Sequence, residues 1–230
     1  MKTITHWIRN ILIFFFTSTI LAVVILKYIP VYITPLMLIR SVEAMVDGRP
    51  PEINHHWVPL EKISHNLPQA VMASEDNLFL KHKGFDLEQI QKAQIEAQEG
   101  KRQRGASTIS QQTARNVFLW QQRSWVRKGL EAYFTFLIEA IWGKERIMEV
   151  YLNSIEMGRG IYGAEAVARI NFGTTPARLT KSQSAYIAVS LPNPRERDSG
   201  HPSAKMRRMH NTILKRMKQI DNFPREVCAQ

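Results

Sequence analysis

The run of sixteen uncharged residues from Ile11 to Leu26 constrains this chain more than any other feature of its sequence. Lys27, Tyr28 and Ile29 follow, and a helix that continues to Ile29 is about 28 Å long at a rise of about 1.5 Å per residue. That length is close to the thickness of the hydrocarbon core of a bilayer. We therefore predict a membrane-spanning helix, with the ring of Tyr28 at the membrane–water interface.

A cleaved signal peptide is the alternative interpretation of this run. A signal peptide requires small residues at a cleavage site beyond its apolar segment, and residues 27–30 contain none, so we favour an uncleaved anchor. Lys2 and Arg9, with no acidic residue beside them, favour an amino terminus in the cytoplasm, although Lys27 and Arg40 weaken that preference. The remainder of the chain is then expected outside the cytoplasm.

The net charge of +11 indicates an anionic partner: nucleic acid, phospholipid or a phosphate-bearing substrate. The first thirty residues carry +3 of that charge and the remainder +8, so the part beyond the anchor is itself basic. A location outside the cytoplasm argues against nucleic acid. The single cysteine, Cys228, excludes an internal disulfide and a cysteine-based zinc site.

The chain divides into a tail and anchor (1–30), a connector punctuated by prolines (31–66) and one domain (67–230). Apolar residues recur at helical spacing from Leu67 onward, notably over 86–99, 125–142, 144–155 and 179–191. Thr108 and Gln111 have the spacing of a capping box, which predicts another helix beginning there. No segment alternates convincingly as a strand does, so we predict a mostly α domain.

Two carboxylates stand out by their expected surroundings. Glu75 falls near the end of an apolar helix, where burial and the helix dipole raise a carboxyl pKa and suit it to acid or base catalysis; a surface Glu-Asp pair is the alternative. Glu131 falls on a helix face with Phe134 and Ile138. Such an acid is either functional or held in a buried ion pair, for which Arg127 and Lys128 are available.

Basic residues cluster around a polar helix in the middle of the sequence. The helix 108–116 is rich in amides and hydroxyls, which indicates either the lining of a polar cleft or a solvated face. The cations suit a pyrophosphate, or they form a patch facing anionic lipid. They are Lys101, Arg102, Arg104, Arg115, Arg123, Arg127 and Lys128.

Two further patterns have plain explanations. Residues 158–163 match G-x-G-x-x-G, but a helix and not a strand is predicted before them, so a tight turn is favoured over a dinucleotide site. The tail after Ser203 carries Met206, Met209, Ile213 and Met217 at helical spacing between basic residues. Packing of this stripe on the domain is favoured over a helix lying on the membrane surface.

Five segments, in order, resemble the signature motifs of the family 51 peptidoglycan glycosyltransferases. They are 75–84 (E-D-x-x-F-x-x-H-x-G), 105–116 (G-x-S-T-I-x-Q-Q…N), 127–131 (R-K-x-x-E), 147–163 (I-x-x-x-Y-L-N…G…G) and 179–194. The resemblance is closest to the monofunctional, membrane-anchored biosynthetic transglycosylases, because the 36 residues after Pro194 leave no room for a transpeptidase domain.

The resemblance implies a lysozyme-like helical fold and polymerisation of lipid II, with inversion at MurNAc C1 and release of undecaprenyl pyrophosphate. It implies Glu75 as the general base and Glu131 as the second catalytic carboxylate. The substrate-binding positions it implies are Lys92, Ser107, Gln111, Arg115, Arg123 and Asn153. No residue is assigned as a metal ligand and no cofactor is expected as a requirement, although Mg²⁺ or Mn²⁺ near the pyrophosphate is compatible with the family.

The expected partners are lipid II, the growing glycan strand, the membrane and other proteins of wall synthesis and division, but no nucleic acid. The expected location is the bacterial inner membrane, crossed once, with the catalytic domain on the periplasmic side. Two rival functions stay open at this point. One is a glycan-cleaving muramidase or lytic transglycosylase, and the other is an anchored scaffold without catalytic activity.

Overall fold

The computed structural model describes residues 2–100, 107–224 and 226–229 and, as predicted, is mostly helical. The basic residues Lys101, Arg102 and Arg104 lie outside the described residues. The helices are α1 (Lys2–Tyr28), α2 (Pro35–Val46), α3 (Asn66–Glu75), α4 (Leu87–Gln98), α5 (Ile109–Phe118), α6 (Trp125–Ile141), α7 (Lys144–Ser154), α8 (Gly163–Phe172), α9 (Lys181–Ser190) and α10 (Ala204–Arg216). The strands are β1 (Asn54–His55), β2 (Glu156–Gly158) and β3 (Ile161–Tyr162).

Helix α1 contains the predicted apolar segment. Residues Ile4–Tyr28 form a helix of mean hydropathy 2.3, long and apolar enough to cross a membrane. Its carboxyl-terminal half packs on α6, where the hydroxyl groups of Thr19 and Tyr133 are 2.8 Å apart. Trp142 Nε1 donates to the carbonyl oxygen of Val23 at 2.7 Å, so the anchor is fastened to the domain by polar contacts as well as by packing.

The connector contains a helix that the sequence analysis did not predict. The side chain of Thr34 accepts a hydrogen bond from the Met37 backbone and caps α2, and Pro35 occupies the first turn. Proline is favoured there because the backbone N–H groups of the first turn have no carbonyl partner within the helix, so a residue without an N–H loses no hydrogen bond. The prolines of 31–66 were predicted only to interrupt helices, whereas Pro35 begins one.

The small sheet has the strand order β1-β3-β2. β2 and β3 are antiparallel and joined by a tight turn at Gly160, whose φ is +68°. β1 pairs in parallel with β3, with Asn54 beside Ile161. The G-x-G-x-x-G pattern therefore makes a hairpin and the beginning of α8, and the turn interpretation is confirmed. The prediction that no strand precedes the pattern is wrong, because Gly158 is the last residue of β2.

The core surrounds α7, whose residues Ile147, Met148 and Tyr151 are fully buried. A second apolar cluster joins α3, α9 and α10 through Ala70, Ala185 and the methionine stripe of the tail. Met206, Ile213 and Met217 are buried there, which confirms the packing interpretation of the tail.

Substitution of Gly163 by alanine is expected to destabilise the fold. Gly163 has a φ of +79°, and a Cβ atom would lie 2.6 Å from the carbonyl oxygen of Asn153, which is backbone and cannot rotate away. We expect a loss of about 3 kcal/mol or more in the free energy of unfolding, measured with denaturant in detergent.

Gly129→Ala is the matched control, because Gly129 lies within α6 and a Cβ atom there meets nothing within 4 Å. Alanine is the better helix former, so stability is expected to stay the same or to rise by up to about 1 kcal/mol. Equal stabilities for the two variants would contradict the close approach at Gly163.

Candidate active site

Glu75 is the last residue of α3, and its carboxylate is half-buried against α5. Gln112 Nε2 donates to Glu75 Oε2 at 3.1 Å, and Ser74 Oγ donates to Oε1 at 3.1 Å. Burial raises the pKa of Glu75 above its ordinary value, while these two hydrogen bonds and the charge of Arg197 lower it in part. A carboxylate with a raised pKa and a fixed orientation is suited to accept a proton.

Asp76 holds this carboxylate in place by joining two helix ends. Its Oδ2 atom accepts the backbone N–H of Ile109, the first residue of α5, at 3.0 Å. His82 Nε2 contacts the same carboxylate at 2.9 Å. An acid at a helix amino terminus also meets the positive end of the helix dipole. The two acids of the Glu-Asp pair therefore have different contacts: Asp76 joins the two helix ends, and Glu75 receives hydrogen bonds from Gln112 and Ser74.

The amino terminus of α5 is capped as the sequence predicted. Thr108 N–H donates to Gln111 Oε1 at 3.0 Å, and Gln111 N–H donates to Thr108 Oγ1 at 3.2 Å. Thr108 Oγ1 also donates to the carbonyl oxygen of Gly84 at 2.7 Å, which ties the 82–84 turn to α5. Gln111, predicted to bind substrate, uses its side-chain oxygen in this capping box.

Gln112, not Gln111, reaches the carboxylate, and sequence reasoning missed this role. The fully buried Tyr151 donates from its hydroxyl to Gln112 Oε1 at 3.2 Å. Burial raises the pKa of Tyr151 well above its ordinary value, so the phenol stays a donor. That bond leaves the amide nitrogen of Gln112 facing Glu75. The signal in the sequence was the pair of adjacent amides, which does not reveal which one faces inward.

Glu131 is buried in an ion-pair cluster on α6. Arg127 Nη1 lies 2.7 Å from Glu131 Oε2, and Lys128 contacts the other oxygen. Arg115 on α5 lies within electrostatic range of Glu131, Arg127 and Tyr151. Both carboxylate oxygens of Glu131 are thus occupied by the two partners that the sequence offered.

The arginines form the basic side of the same region. Arg115 is half-buried; burial lowers its pKa and the charge of Glu131 opposes that effect. Within the described part of the chain its Nε atom has no hydrogen-bond partner. Arg123 is exposed in the connection before α6 and also acts on Arg115 through its charge. This pair of guanidinium groups is suited to bind a phosphate.

The remaining predicted positions are placed differently. Asn153 is fully buried, with its oxygen accepting Val58 N–H at 2.8 Å and its nitrogen donating to the Val58 carbonyl at 2.9 Å, so its amide fastens the segment before α3. Ser107 is half-buried just before the α5 cap. Lys92 is exposed on α4 and pairs with Glu88.

A metal centre built from side chains does not emerge in the described ranges. No three histidine, cysteine, aspartate or glutamate side chains come together there as a group that could hold an ion. Glu131, the buried acid nearest the arginines, already has both oxygens bound by cations. We therefore derive no step through a divalent ion, and its involvement stays a prediction.

Comparison with known proteins places this site in a family. A family model described as Transglycosylase matches residues 43–218. Curated relatives named biosynthetic peptidoglycan transglycosylase occur in Bacteroides thetaiotaomicron (58% identical, covering 97% of this chain and 90% of the relative), Caulobacter vibrioides (53%, covering 84% and 83%) and Pseudomonas syringae pv. syringae (45%, covering 96% and 93%).

The two carboxylates are expected to differ in their effect on stability. Glu131→Gln removes the charge that compensates buried Arg127 and should lower the free energy of unfolding by about 3–5 kcal/mol. Glu75→Gln replaces a desolvated carboxylate whose ionised form is disfavoured in the folded state, so stability at neutral pH should stay the same or rise.

Denaturant unfolding of both variants at neutral pH measures this difference. Each substitution replaces one carboxylate oxygen by an NH₂ group, so the two variants differ from the parent by the same small change in side-chain size. A Glu131→Gln variant as stable as the parent would contradict the buried ion pair as a structural element.

Proposed function

Because the chain belongs to the transglycosylase family and is a peptidoglycan glycosyltransferase, we propose that it polymerises lipid II into β-1,4-linked glycan strands with inversion at MurNAc C1. The observation that carries this proposal is the half-buried Glu75 carboxylate, held by Gln112. The partner of Gln112, Tyr151, lies within electrostatic range of both Glu75 and Arg115. A base and a phosphate-binding group around the same tyrosine supply the two elements that transfer from a sugar pyrophosphate requires.

In the proposed reaction Glu75 accepts the proton of the acceptor GlcNAc 4-hydroxyl as that oxygen attacks C1 of the donor MurNAc. The bond from C1 to the pyrophosphate oxygen breaks, and undecaprenyl pyrophosphate leaves with the electron pair. Pyrophosphate is a good leaving group, so it needs positive charge more than a proton. Arg115 and Arg123 supply that charge, and attack from the face opposite the leaving group accounts for inversion.

The surroundings of Glu131 favour synthesis over glycan cleavage. A glycan hydrolase of the usual kind works with two carboxyl groups, one as acid and one as nucleophile or base. Arg127 and Lys128 occupy the Glu131 oxygens, which makes that carboxylate a poor nucleophile. We assign Glu131 the role of holding the cations of the cleft. A catalytically inactive scaffold is not compatible with membership of this enzyme family.

The setting of the reaction is part of the proposal. We place α1 across the inner membrane with the catalytic domain on the periplasmic side, where the lipid tail of the substrate lies in the same bilayer as the anchor. Lys92 and Ser107 are proposed to contact the substrate at the edge of the cleft. Proteins of wall synthesis and division are the proposed partners.

Glu75→Gln is expected to abolish polymerisation while the protein stays folded. Loss of a general base typically lowers the rate by about 10²–10⁴-fold. The measurement is glycan-strand formation from purified lipid II in detergent, with unfolding curves as the folding control. A second series with EDTA tests the divalent cation, and unchanged activity there would remove it from the proposal.

A Glu75→Gln variant that polymerises lipid II at the parental rate would exclude Glu75 as the base. Incubation of the parent protein with finished glycan strands separates the rival activity, because a muramidase or lytic transglycosylase generates new strand ends and a polymerase does not.

Gln112→Met is expected to move the acidic limb of the pH profile to higher pH. The base works only when ionised, and the Gln112 hydrogen bond is one of the contacts that lower the pKa of Glu75. Without that bond the carboxyl keeps its proton to higher pH, so activity falls earlier as the solution is acidified. The measurement is kcat/KM of polymerisation as a function of pH.

Gln219→Met, at an exposed position after α10, is the matched control and should leave the limb in place. An acidic limb that stays unchanged in Gln112→Met, or moves to lower pH, would contradict the role assigned to Gln112.

A further inference from the structure

A cavity of about 130 Å³ lies between α2 and the β2–β3 hairpin. Glu75 is not among its lining residues; Arg195 lines the cavity, whereas Arg197, two residues further on, acts on Glu75 through its charge. Four arginines and two glutamates line the cavity together with one tyrosine: Arg40, Arg49, Arg159, Arg195, Glu52, Glu156 and Tyr162.

The arginines of this cavity are only partly neutralised. Arg40 is 3.1 Å from buried Glu156 and 2.7 Å from Glu43, which also meets Arg195 at 3.5 Å. These contacts hold the guanidinium groups in place around the cavity. In the described ranges no ion pair or hydrogen bond occupies the exposed side chain of Arg159. Arg49 pairs with Asp47, so the guanidinium group of Arg159 is the one left available to an anion among the described arginines of the cavity.

Tyr162 adds a buried donor to the cavity. The residue is fully buried, yet its hydroxyl has no hydrogen-bond partner among the described residues. Burial raises the pKa of Tyr162, and the charges of Glu156 and Arg40 also act on the phenol, which places its hydroxyl end near them. A protonated phenol beside guanidinium groups offers donors to an anion with several acceptor oxygens, as a phosphate group has.

The position of α2 indicates where such a phosphate comes from. Only residues 29–34 separate α2 from the end of the anchor helix. Leu38, Val42, Met45 and Val46 are all more than half exposed and share the outer face of α2, at i, i+4, i+7 and i+8. The inner face carries Leu36, Met37 and the cavity residue Arg40. An apolar stripe with arginine behind it is the pattern of a helix in the membrane interface.

We propose that α2 lies in the headgroup layer of the membrane and that the cavity behind it binds the phosphate group of an anionic phospholipid. The stripe faces the acyl chains, Arg159 and the Tyr162 hydroxyl bind the phosphate, and Arg40 and Arg195 supply the surrounding charge. A volume of about 130 Å³ is sufficient for one phosphate group. The site is independent of the proposed catalytic reaction and is tested without turnover.

Tyr162→Phe and Arg159→Gln test the cavity in the full chain. The protein is reconstituted in nanodiscs of phosphatidylcholine and phosphatidylglycerol, released, and examined by native mass spectrometry for retained lipid. Retention of phosphatidylglycerol should fall about tenfold or more in each variant, since each loses a hydrogen bond to a charged group. The matched control Arg178→Gln removes the same charge from an exposed arginine outside the cavity and should retain lipid as the parent does.

Equal retention of phosphatidylglycerol by all four proteins would overturn the proposal. A higher unfolding temperature of Tyr162→Phe would not rescue it, because removal of an unpaired buried hydroxyl explains such a rise. The source of the phosphate is tested with inorganic phosphate as the probe. Inorganic phosphate could raise the unfolding temperature of the parent but not of Tyr162→Phe, while neither protein retains lipid. That result would assign the cavity to a free anion and overturn the lipid assignment.

The depth of α2 is tested with a fluorophore attached to Val42→Cys in nanodiscs. Quenching by spin-labelled lipid and protection from iodide are expected. Quenching by iodide alone would place the outer face of α2 in water and overturn the interfacial position. The unsubstituted protein is the labelling control, because its one cysteine, Cys228, is buried.

Discussion

The hydrogen bond from Ile109 N–H to the carboxylate of Asp76 joins the end of α3 to the beginning of α5, and the geometry of the cleft depends on it. Asp76 directly follows Glu75, so any shift of α5 would move the Glu75 carboxylate with it. The bond also satisfies one of the backbone N–H groups that a helix amino terminus leaves without a partner. His82 holds Asp76 from the other side, and the capping box of Thr108 orders the same turn of α5. The backbone N–H groups of Ile109, Gln111 and Gln112 at the beginning of this buried polar helix are therefore paired.

Glu131 and Glu75 differ in the number of cations that contact their carboxylates. Glu131 is matched by two cations and Glu75 by none at close range, although both are carboxylates beside α5. Burial raises the pKa of Glu75, whose hydrogen-bond donors Gln112 and Ser74 are neutral, so this carboxyl takes up a proton more readily than an exposed one does. The partners of the two acids, rather than their residue type, distinguish them.

Local patterns in the sequence predicted the fold well where the contacts are themselves local. The capping box of Thr108, the methionine stripe of α10 and the apolar run of α1 depend on residues a few positions apart, and each was predicted. Asn153 holds Val58, 95 residues away, and Gln112 reaches back 37 residues to Glu75; spacing along the chain does not encode such partners. Helix α2 was missed because a proline that begins a helix looks the same in sequence as one that ends it.

The hydrogen bonds between α1 and the rest of the protein limit how the domain moves relative to the anchor helix. The last carbonyl groups of α1 accept hydrogen bonds from the domain: Trp142 binds the Val23 oxygen, and Arg146 binds the Leu26 oxygen at 2.7 Å. A flexible loop between α1 and the domain would let the domain rotate and move away from the membrane. These hydrogen bonds oppose rotation of the domain about the end of α1. With α1 across the membrane, as proposed, the angle of the domain to the bilayer normal is a property of the protein, and the proposed transfer takes place at one height above the bilayer.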